Sequence, residues 1–245
     1  MYGDPERPRN AVQSSRSPGR HDHTPTHDQT YRLSDTKPAA DDEATVAETG
    51  TTVVGLTTDD AVVLAADRRA SLGGRFVTSK EVRKVEQVHP TAAVAFSGSV
   101  GHIQGFVRTL RTEATLYEDR RGHPMSVSAL STLAGNLLRT NPLRVTPVLG
   151  GVDDEGARLF GMDQGGGVLG DEYAAAGSGT QLAYGVLERR YDPDAAVESA
   201  RETAAAAVAT ASERDTASGD GLTLATVTDQ GVATDVVADP AEVAA

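Results

Sequence analysis

Glu48-Thr49-Gly50-Thr51-Thr52-Val53-Val54-Gly55-Leu56-Thr57 is where this 245-residue chain changes character. Residues 1–50 hold five of the eleven prolines and three of the six histidines, with many Ser, Thr and Asp and almost no large aliphatic side chains. Such a segment cannot bury enough apolar surface to offset its ordering entropy and reads as a flexible leader. His21, His23 and His27 lie in it, and histidines in a solvated polar tail do not by themselves make a metal site. From Thr51 onward the composition is that of a packed domain over residues 51–245.

Working outward, Thr51–Thr57 and Ala61–Asp67 are rich in Val, Leu and Thr and flank Asp59-Asp60, the pattern of a hairpin. Gly73-Gly74 predicts a turn, and strands follow at Phe76–Thr78, Val82–Val88 and Ala92–Ser97. Val100, Ile103, Phe106, Val107, Leu110, Ala114 and Tyr117 recur at helical spacing behind a Ser99 cap, which predicts a helix to about Asp119. Val127, Leu130, Leu133, Leu137 and Leu138 form one apolar stripe of a second helix. Strands are expected again at Arg144–Leu149, Arg158–Asp163 and Gly170–Ala175, with Gly150-Gly151 and Gly165–Gly167 as turns. Helices over Gln181–Tyr191 and Asp194–Arg214, then a hairpin of Leu222–Thr228 and Val232–Val237, close the chain. Strands and helices are therefore segregated, which is α+β, and the two helix pairs suit the outer faces of two stacked antiparallel sheets.

Composition removes several function classes. There is no cysteine, hence no disulfide, thiol nucleophile or cysteine zinc site. No apolar run reaches the length of a membrane span, and the N-terminus lacks an apolar signal core, so a cytoplasmic protein with no membrane partner is expected. The net charge of −12 argues against a nucleic-acid partner, which requires basic patches. Among 23 basic residues only Lys37, Lys80 and Lys84 are lysines, and that acidic, Arg-rich balance fits a salt-adapted proteome whose carboxylates keep the surface hydrated.

The usual nucleophile–base pairs are scarce. His102 falls within the first helix and reads as a structural or solvated histidine. Histidines and carboxylates show no metal-ligand spacing, and no metal or cofactor is expected. Gly177-Ser178-Gly179 lacks the lysine of a phosphate loop and the third glycine of a dinucleotide fingerprint. What remains is Gly50-Thr51. Cleavage there would give a threonine with a hydroxyl and a free α-amine, whose reference pKa of about 8 lets it act as base for its own hydroxyl. Glycine before the bond leaves that carbonyl unshielded.

Thr51-Thr52-Val53-Val54-Gly55, Ala65-Ala66-Asp67-Arg68-Arg69-Ala70, Ser79-Lys80 with Lys84, Phe96-Ser97-Gly98, Gly177-Ser178-Gly179 and Arg214-Asp215-Thr216-Ala217-Ser218-Gly219 resemble, in order and spacing, the motifs of the archaeal proteasome β subunit. The resemblance runs from Thr51 to about Val237. It implies a four-layer αββα N-terminal-nucleophile hydrolase sandwich and a propeptide, residues 1–50, removed on maturation. It also implies threonine endopeptidase chemistry: Thr51 as nucleophile, Lys84 as the ammonium beside its hydroxyl, Asp67 as the partner of that lysine, and Gly98 at the oxyanion position. Ser178, Asp215 and Ser218 match the set around the Thr amine. Arg is a poor substitute for the compact ammonium of Lys84.

The resemblance places Ala70, Val82, Phe96 and Val100 in the substrate pocket, favouring apolar residues before the cut, with Glu86 near that lining as a group able to admit basic ones. Ser71 stands where Thr is common and would keep the backbone contacts to substrate. Gly73-Gly74-Arg75 is one residue longer than the family pattern. Implied partners are proteasome α subunits and other β subunits in seven-membered rings of a four-ring barrel, an ATP-dependent unfoldase acting through the α rings, and unfolded protein substrates. A non-catalytic ring subunit of the same architecture is the alternative, and the simpler bacterial relative fits less well because of the Arg214–Gly219 block and the long leader.

Overall fold

A computed structural model describes residues 50–243, which lie in one compact unit. The leader expected over residues 1–50, with its three histidines, lies outside the described residues except for Gly50. The elements in chain order are β1 (Thr52–Thr57), β2 (Val62–Asp67), β3 (Ala70–Leu72), β4 (Phe76–Ser79), β5 (Val85–His89), β6 (Ala92–Gly98), α1 (Val100–Arg121), α2 (Val127–Thr140), β7 (Val145–Asp153), β8 (Gly156–Met162), β9 (Val168–Asp171), β10 (Tyr173–Gly177), α3 (Thr180–Arg190), α4 (Val197–Ser212), β11 (Leu222–Thr228) and β12 (Gly231–Val237), followed by a short 3-10 turn at Pro240–Glu242.

Two five-stranded antiparallel sheets stack face to face, one in the order β10-β1-β2-β11-β12 and the other β5-β6-β7-β8-β9, while β3 and β4 form a separate hairpin. Alternation along β1 and β2 explains the layering. Val53, Val62, Leu64 and Ala66 pack with Ala93, Ala95, Val148 and Leu159 between the sheets. Val54, Leu56, Val63 and Ala65 point the other way onto α3 and α4. On the far side, Val94 and Phe96 pack under α1 and α2. Strands covered on both faces read as continuous apolar runs rather than as an alternating pattern, because both side-chain directions meet a core. In α4, Ala200, Ala204, Ala205 and Ala207 are fully buried, and their small size lets the helix lie close on β1 and β2.

Several boundaries differ from expectation for identifiable reasons. Gly150-Gly151 is not a turn but the middle of β7, because a Cβ on Gly150 would come within 2.4 Å of Val62 Cγ1 and one on Gly151 within 2.8 Å of Val127 Cγ2. These glycines let the sheets and α2 approach, and the turn falls at Asp154-Glu155. The single strand expected over Gly170–Ala175 is two strands in different sheets, since the chain crosses between them at Glu172, whose carbonyl accepts from the Thr57 N–H. Val82–Lys84 precede β5 rather than starting it; Val82 N–H donates to Arg68 O and Lys84 O accepts from Phe96 N–H. Ser99 sits at the N-terminus of α1 without a side-chain cap bond, whereas Ser126 caps α2 by accepting from Ala129 N–H. Helix α4 begins at Val197, three residues after the expected start.

The glycines make a test of this packing. Gly150→Ala is expected to cost about 1–3 kcal/mol by overpacking the inter-sheet core. Gly105→Ala, in α1 with open space around its would-be Cβ, should instead stabilise by up to about 1 kcal/mol. Denaturant midpoints at an unchanged slope would read both.

Candidate active site

The site forms at one end of the first sheet, where β1 begins between β10 and β2. The register pairs Thr52 with Gly177 on one side and Val53 with Ala66 on the other, so Thr51, Asp67 and Ser178 come to the same edge. Asp67 is fully buried at the end of β2, and its carboxylate accepts four hydrogen bonds. Oδ1 takes Lys84 Nζ at 2.7 Å and the Thr52 N–H at 2.9 Å. Oδ2 takes the Gly219 N–H at 2.9 Å and the Arg69 N–H at 3.0 Å. One carboxylate thereby ties together β1, the chain after β2, the residues before β5 and the loop before β11.

Burial raises the Asp67 carboxyl toward its neutral form, and the Lys84 charge, its hydrogen bond and the Thr52 and Gly219 amides oppose that. Burial likewise lowers Lys84, against the pull of Asp67 and, more weakly, of Asp215. Lys84 is thus an ammonium held in a place that favours losing its proton, the condition for an easily exchanged one.

A second constellation lies on the other side of Thr51. The Thr51 N–H donates to Ser178 Oγ at 3.1 Å, and Ser178 Oγ donates to Asp215 Oδ2 at 2.5 Å. Ser218 Oγ donates to the same oxygen at 2.6 Å and lies 2.8 Å from Thr52 Oγ1. Asp215 itself is fixed by the Ala217 N–H on Oδ1. Arg69 holds this loop from outside, through Nη1 to Thr216 O at 3.0 Å and Nε to Asp220 Oδ2 at 2.7 Å. That hydrogen bond keeps the Asp220 carboxyl below the usual carboxylate range.

Thr51 is buried, and its Oγ1 donates to the Gly50 carbonyl oxygen at 2.7 Å. With Gly50 attached, the Thr51 nitrogen is an amide. A Cβ on Gly50 would fall 1.7 Å from Ala217 Cβ, so only glycine fits before Thr51 in this geometry. Gly98 ends β6 at φ +133°, where a Cβ would strike Arg144 O at 2.1 Å.

Thr51, Lys84 and Gly98 open onto a cavity of about 320 Å³ between the start of β5, β6 and α1. Of the expected pocket residues, Ala70, Val82, Glu86, Phe96 and Val100 line it. Ser71 does not: it is buried in β3 with its hydroxyl unpartnered, so its side chain is no part of the cavity wall. Sequence reasoning missed Ile103, Val107, Arg108 and Arg111, all lining residues on α1, because only the crossing of α1 over β5 brings them there. It also missed Thr52 and Asp220; a positive φ of 62° at Asp220 is invisible in sequence. His102 Nδ1 accepts from the Arg144 N–H, a structural contact. Among the described residues no cluster of three or more His, Cys, Asp or Glu is arranged to hold a metal, and no helix is long and apolar enough to cross a membrane.

Two stacked antiparallel sheets between helix pairs form the four-layer αββα sandwich of the N-terminal-nucleophile hydrolase fold, and a buried threonine enters its first central strand beside a Lys–Asp pair. Residues 47–227 match the family described as "Proteasome subunit", and the chain belongs to that family. It is 58% identical over 192 residues to "Proteasome subunit beta" of Halorhabdus utahensis, covering 78% of this chain and 82% of the relative. It is 54% identical over 201 residues to "Proteasome subunit beta 2" of Haloterrigena turkmenica, covering 82% and 85%. "Proteasome subunit beta 1" of Haloarcula marismortui is 54% identical over 195 residues, covering 79% of this chain and 81% of that one. The chain is thus similar to haloarchaeal proteasome β subunits over most of its length, and membership of the family implies assembly with other subunits in a core particle.

Asp67→Asn removes the anion while leaving Lys84 buried without a counter-charge. Loss of one partner of a buried pair is expected to cost about 3–5 kcal/mol. Asp67→Asn with Lys84→Met should recover part of that loss, and chemical unfolding of the three chains would check it.

Proposed function

We propose that the chain is a catalytic β subunit, a threonine endopeptidase that matures by cutting its own Gly50–Thr51 bond. The observation that carries this reading is the 2.7 Å contact from Thr51 Oγ1 to the carbonyl oxygen of the residue it would cleave. In that step Oγ attacks the Gly50 carbonyl carbon and the C–N bond breaks, with the hydroxyl proton passing to the departing nitrogen. Water then hydrolyses the resulting ester, leaving Gly50 as a carboxylate and Thr51 with a free amine. Residues 1–50 are the propeptide and residues 51–245 the mature hydrolase.

In the mature chain the Thr51 amine takes the proton from Oγ, which attacks a substrate peptide carbonyl and later passes through an acyl-ester to water. Lys84, oriented by Asp67, lowers the cost of the developing alkoxide, and the Gly98 N–H serves the oxyanion. Ser178, Asp215 and Ser218 hold the nitrogen in place; the chain of contacts from Thr51 N to Asp215 supports that role. Nothing in this scheme uses a metal or cofactor. The substrates are unfolded proteins admitted to a cytoplasmic chamber made with α subunits and further β subunits, and fed by an ATP-dependent unfoldase through the α rings.

Intact mass and N-terminal sequencing of the assembled particle test this directly. A terminus at Thr51 is expected; a chain still carrying residues 1–50 would mark a non-catalytic ring subunit. Thr51→Ala is expected to abolish processing and peptide hydrolysis while leaving the fold, and Lys84→Arg to do nearly the same.

The pH response has a defined sign. With Lys84 lowered by burial, the native chain gives up that proton at a pH where the unfolded chain, at 10.5, still holds it, so this residue's contribution to stability rises with pH over that window. Turnover, which needs the ammonium, is expected to fall over the same window, below the range of a free lysine. A pH–rate profile alongside unfolding curves would separate the two.

A further inference from the structure

The Gly98 N–H, given the oxyanion in the reading above, sits where the ladder between β6 and β7 runs out. Gly98 pairs with Val145, and one residue further the Ser99 N–H donates to Arg144 O at 3.0 Å. Residues paired in this way in an antiparallel ladder exchange two bonds, and the return bond would run from the Arg144 N–H to the Ser99 carbonyl. That carbonyl is already engaged. Helix α1 starts at Val100, and the Ile103 N–H donates to Ser99 O at 2.9 Å as the first bond of the helix. The turn of the chain from strand into helix therefore takes away the acceptor that Arg144 would use.

His102 replaces it. Its Nδ1 accepts from the Arg144 N–H at 3.0 Å, so an imidazole in the first turn of α1 forms the last rung of the ladder in place of a backbone carbonyl. The bond requires the tautomer with the lone pair on Nδ1 and the proton on Nε2. Arg144 is then held on both sides, by Ser99 at its carbonyl and by His102 at its N–H. Packing alone does not hold it, since Arg144 is exposed and borders a cavity of about 860 Å³ on the far side of Gly98.

Gly98 follows whatever this segment does. A Cβ on it would lie 2.1 Å from Arg144 O and 3.0 Å from Val145 Cα, so its backbone lies flush on the link between those two residues. A tilt of that link passes to Gly98, and a donor aimed at a developing oxyanion works only over a narrow range of distance and angle.

We propose that His102 is a positioning residue for peptide hydrolysis: by standing in for the missing carbonyl it fixes Arg144, and through Arg144 it aims the Gly98 N–H at the oxyanion. This rests on the peptidase reading above and adds to it a residue that lines neither cavity beside Gly98. What the role demands is an acceptor at the δ position of the side chain. Asparagine can present its Oδ1 there, whereas leucine fills a similar space without a lone pair.

The test compares the natural chain with His102→Leu and His102→Asn in assembled particles whose β chains begin at Thr51. One fluorogenic peptide gives kcat and KM. A peptide aldehyde, whose carbonyl carbon Thr51 Oγ adds to while its oxygen takes up the proton in the oxyanion position, is compared with the matching peptide alcohol, which has no carbonyl to attack. His102→Leu is expected to lower kcat and aldehyde affinity about tenfold each, with KM and alcohol affinity within about twofold. His102→Asn should recover both losses to within about twofold. His102→Ala is read in the same way if leucine disturbs assembly. If removing the acceptor leaves kcat unchanged, if His102→Asn loses as much as His102→Leu, or if the alcohol weakens as much as the aldehyde, the inference is wrong and the peptidase reading stands. If the natural chain, processed to Thr51, cuts no peptide, both fall.

Discussion

Everything at the candidate site depends on one buried contact, Lys84 Nζ on Asp67 Oδ1. Removing both charges from water is costly, and the attraction between them offsets this only when the remaining lone pairs are also satisfied. Here they are, by the N–H groups of Thr52, Arg69 and Gly219. Those three amides come from three separate parts of the chain. The ion pair can therefore exist only when β1, the end of β2 and the loop before β11 are all in place, which makes the geometry around Thr51 a property of the completed fold. The same constraint explains why a compact lysine stands here in a chain whose basic residues are mostly arginine: a planar guanidinium does not fit a single-oxygen contact walled by backbone amides.

Close approach is the second constraint. The sheets meet through Gly150, α2 meets the second sheet through Gly151, and α4 meets the first sheet through alanines. Small residues at these contacts do not loosen the core; they bring backbone near backbone, so that a strand end on one sheet can face a strand end on the other. Gly98 from β6 and Thr51 before β1 reach one cavity for this reason, although they belong to different sheets.

What could be read without the structure follows the same physics. Strands β1 and β2 were legible because burial on both faces writes itself as unbroken Val, Leu and Ala. The helices α1 and α2 were legible from one-sided stripes. Gly150-Gly151 was misread because a glycine pair serves a turn or a close contact equally well, and which one applies depends on Val62 and Val127, distant in sequence. The sheet switch at Glu172 falls inside a stretch that reads as one short strand. Of the site, Gly50-Thr51 could be argued from chemistry alone, whereas Lys84 and Asp67 stood out only by family resemblance, since in bare sequence each passes for a surface charge. The arginines over the cavity were illegible, because helical periodicity says which residues share a face but not what that face crosses.

The registers carry a consequence for how the molecule is made. Thr51 leans on Ser178, 127 positions later, and Asp67 on Gly219, 152 positions later. A ribosome delivers Thr51 early and its supports near the end, so a nascent or truncated polypeptide holds the threonine without the surroundings that orient it. Such long-range pairings are the slow part of folding. Chain order thus acts as a timer, and the arrangement around Thr51 is incomplete until synthesis is nearly finished.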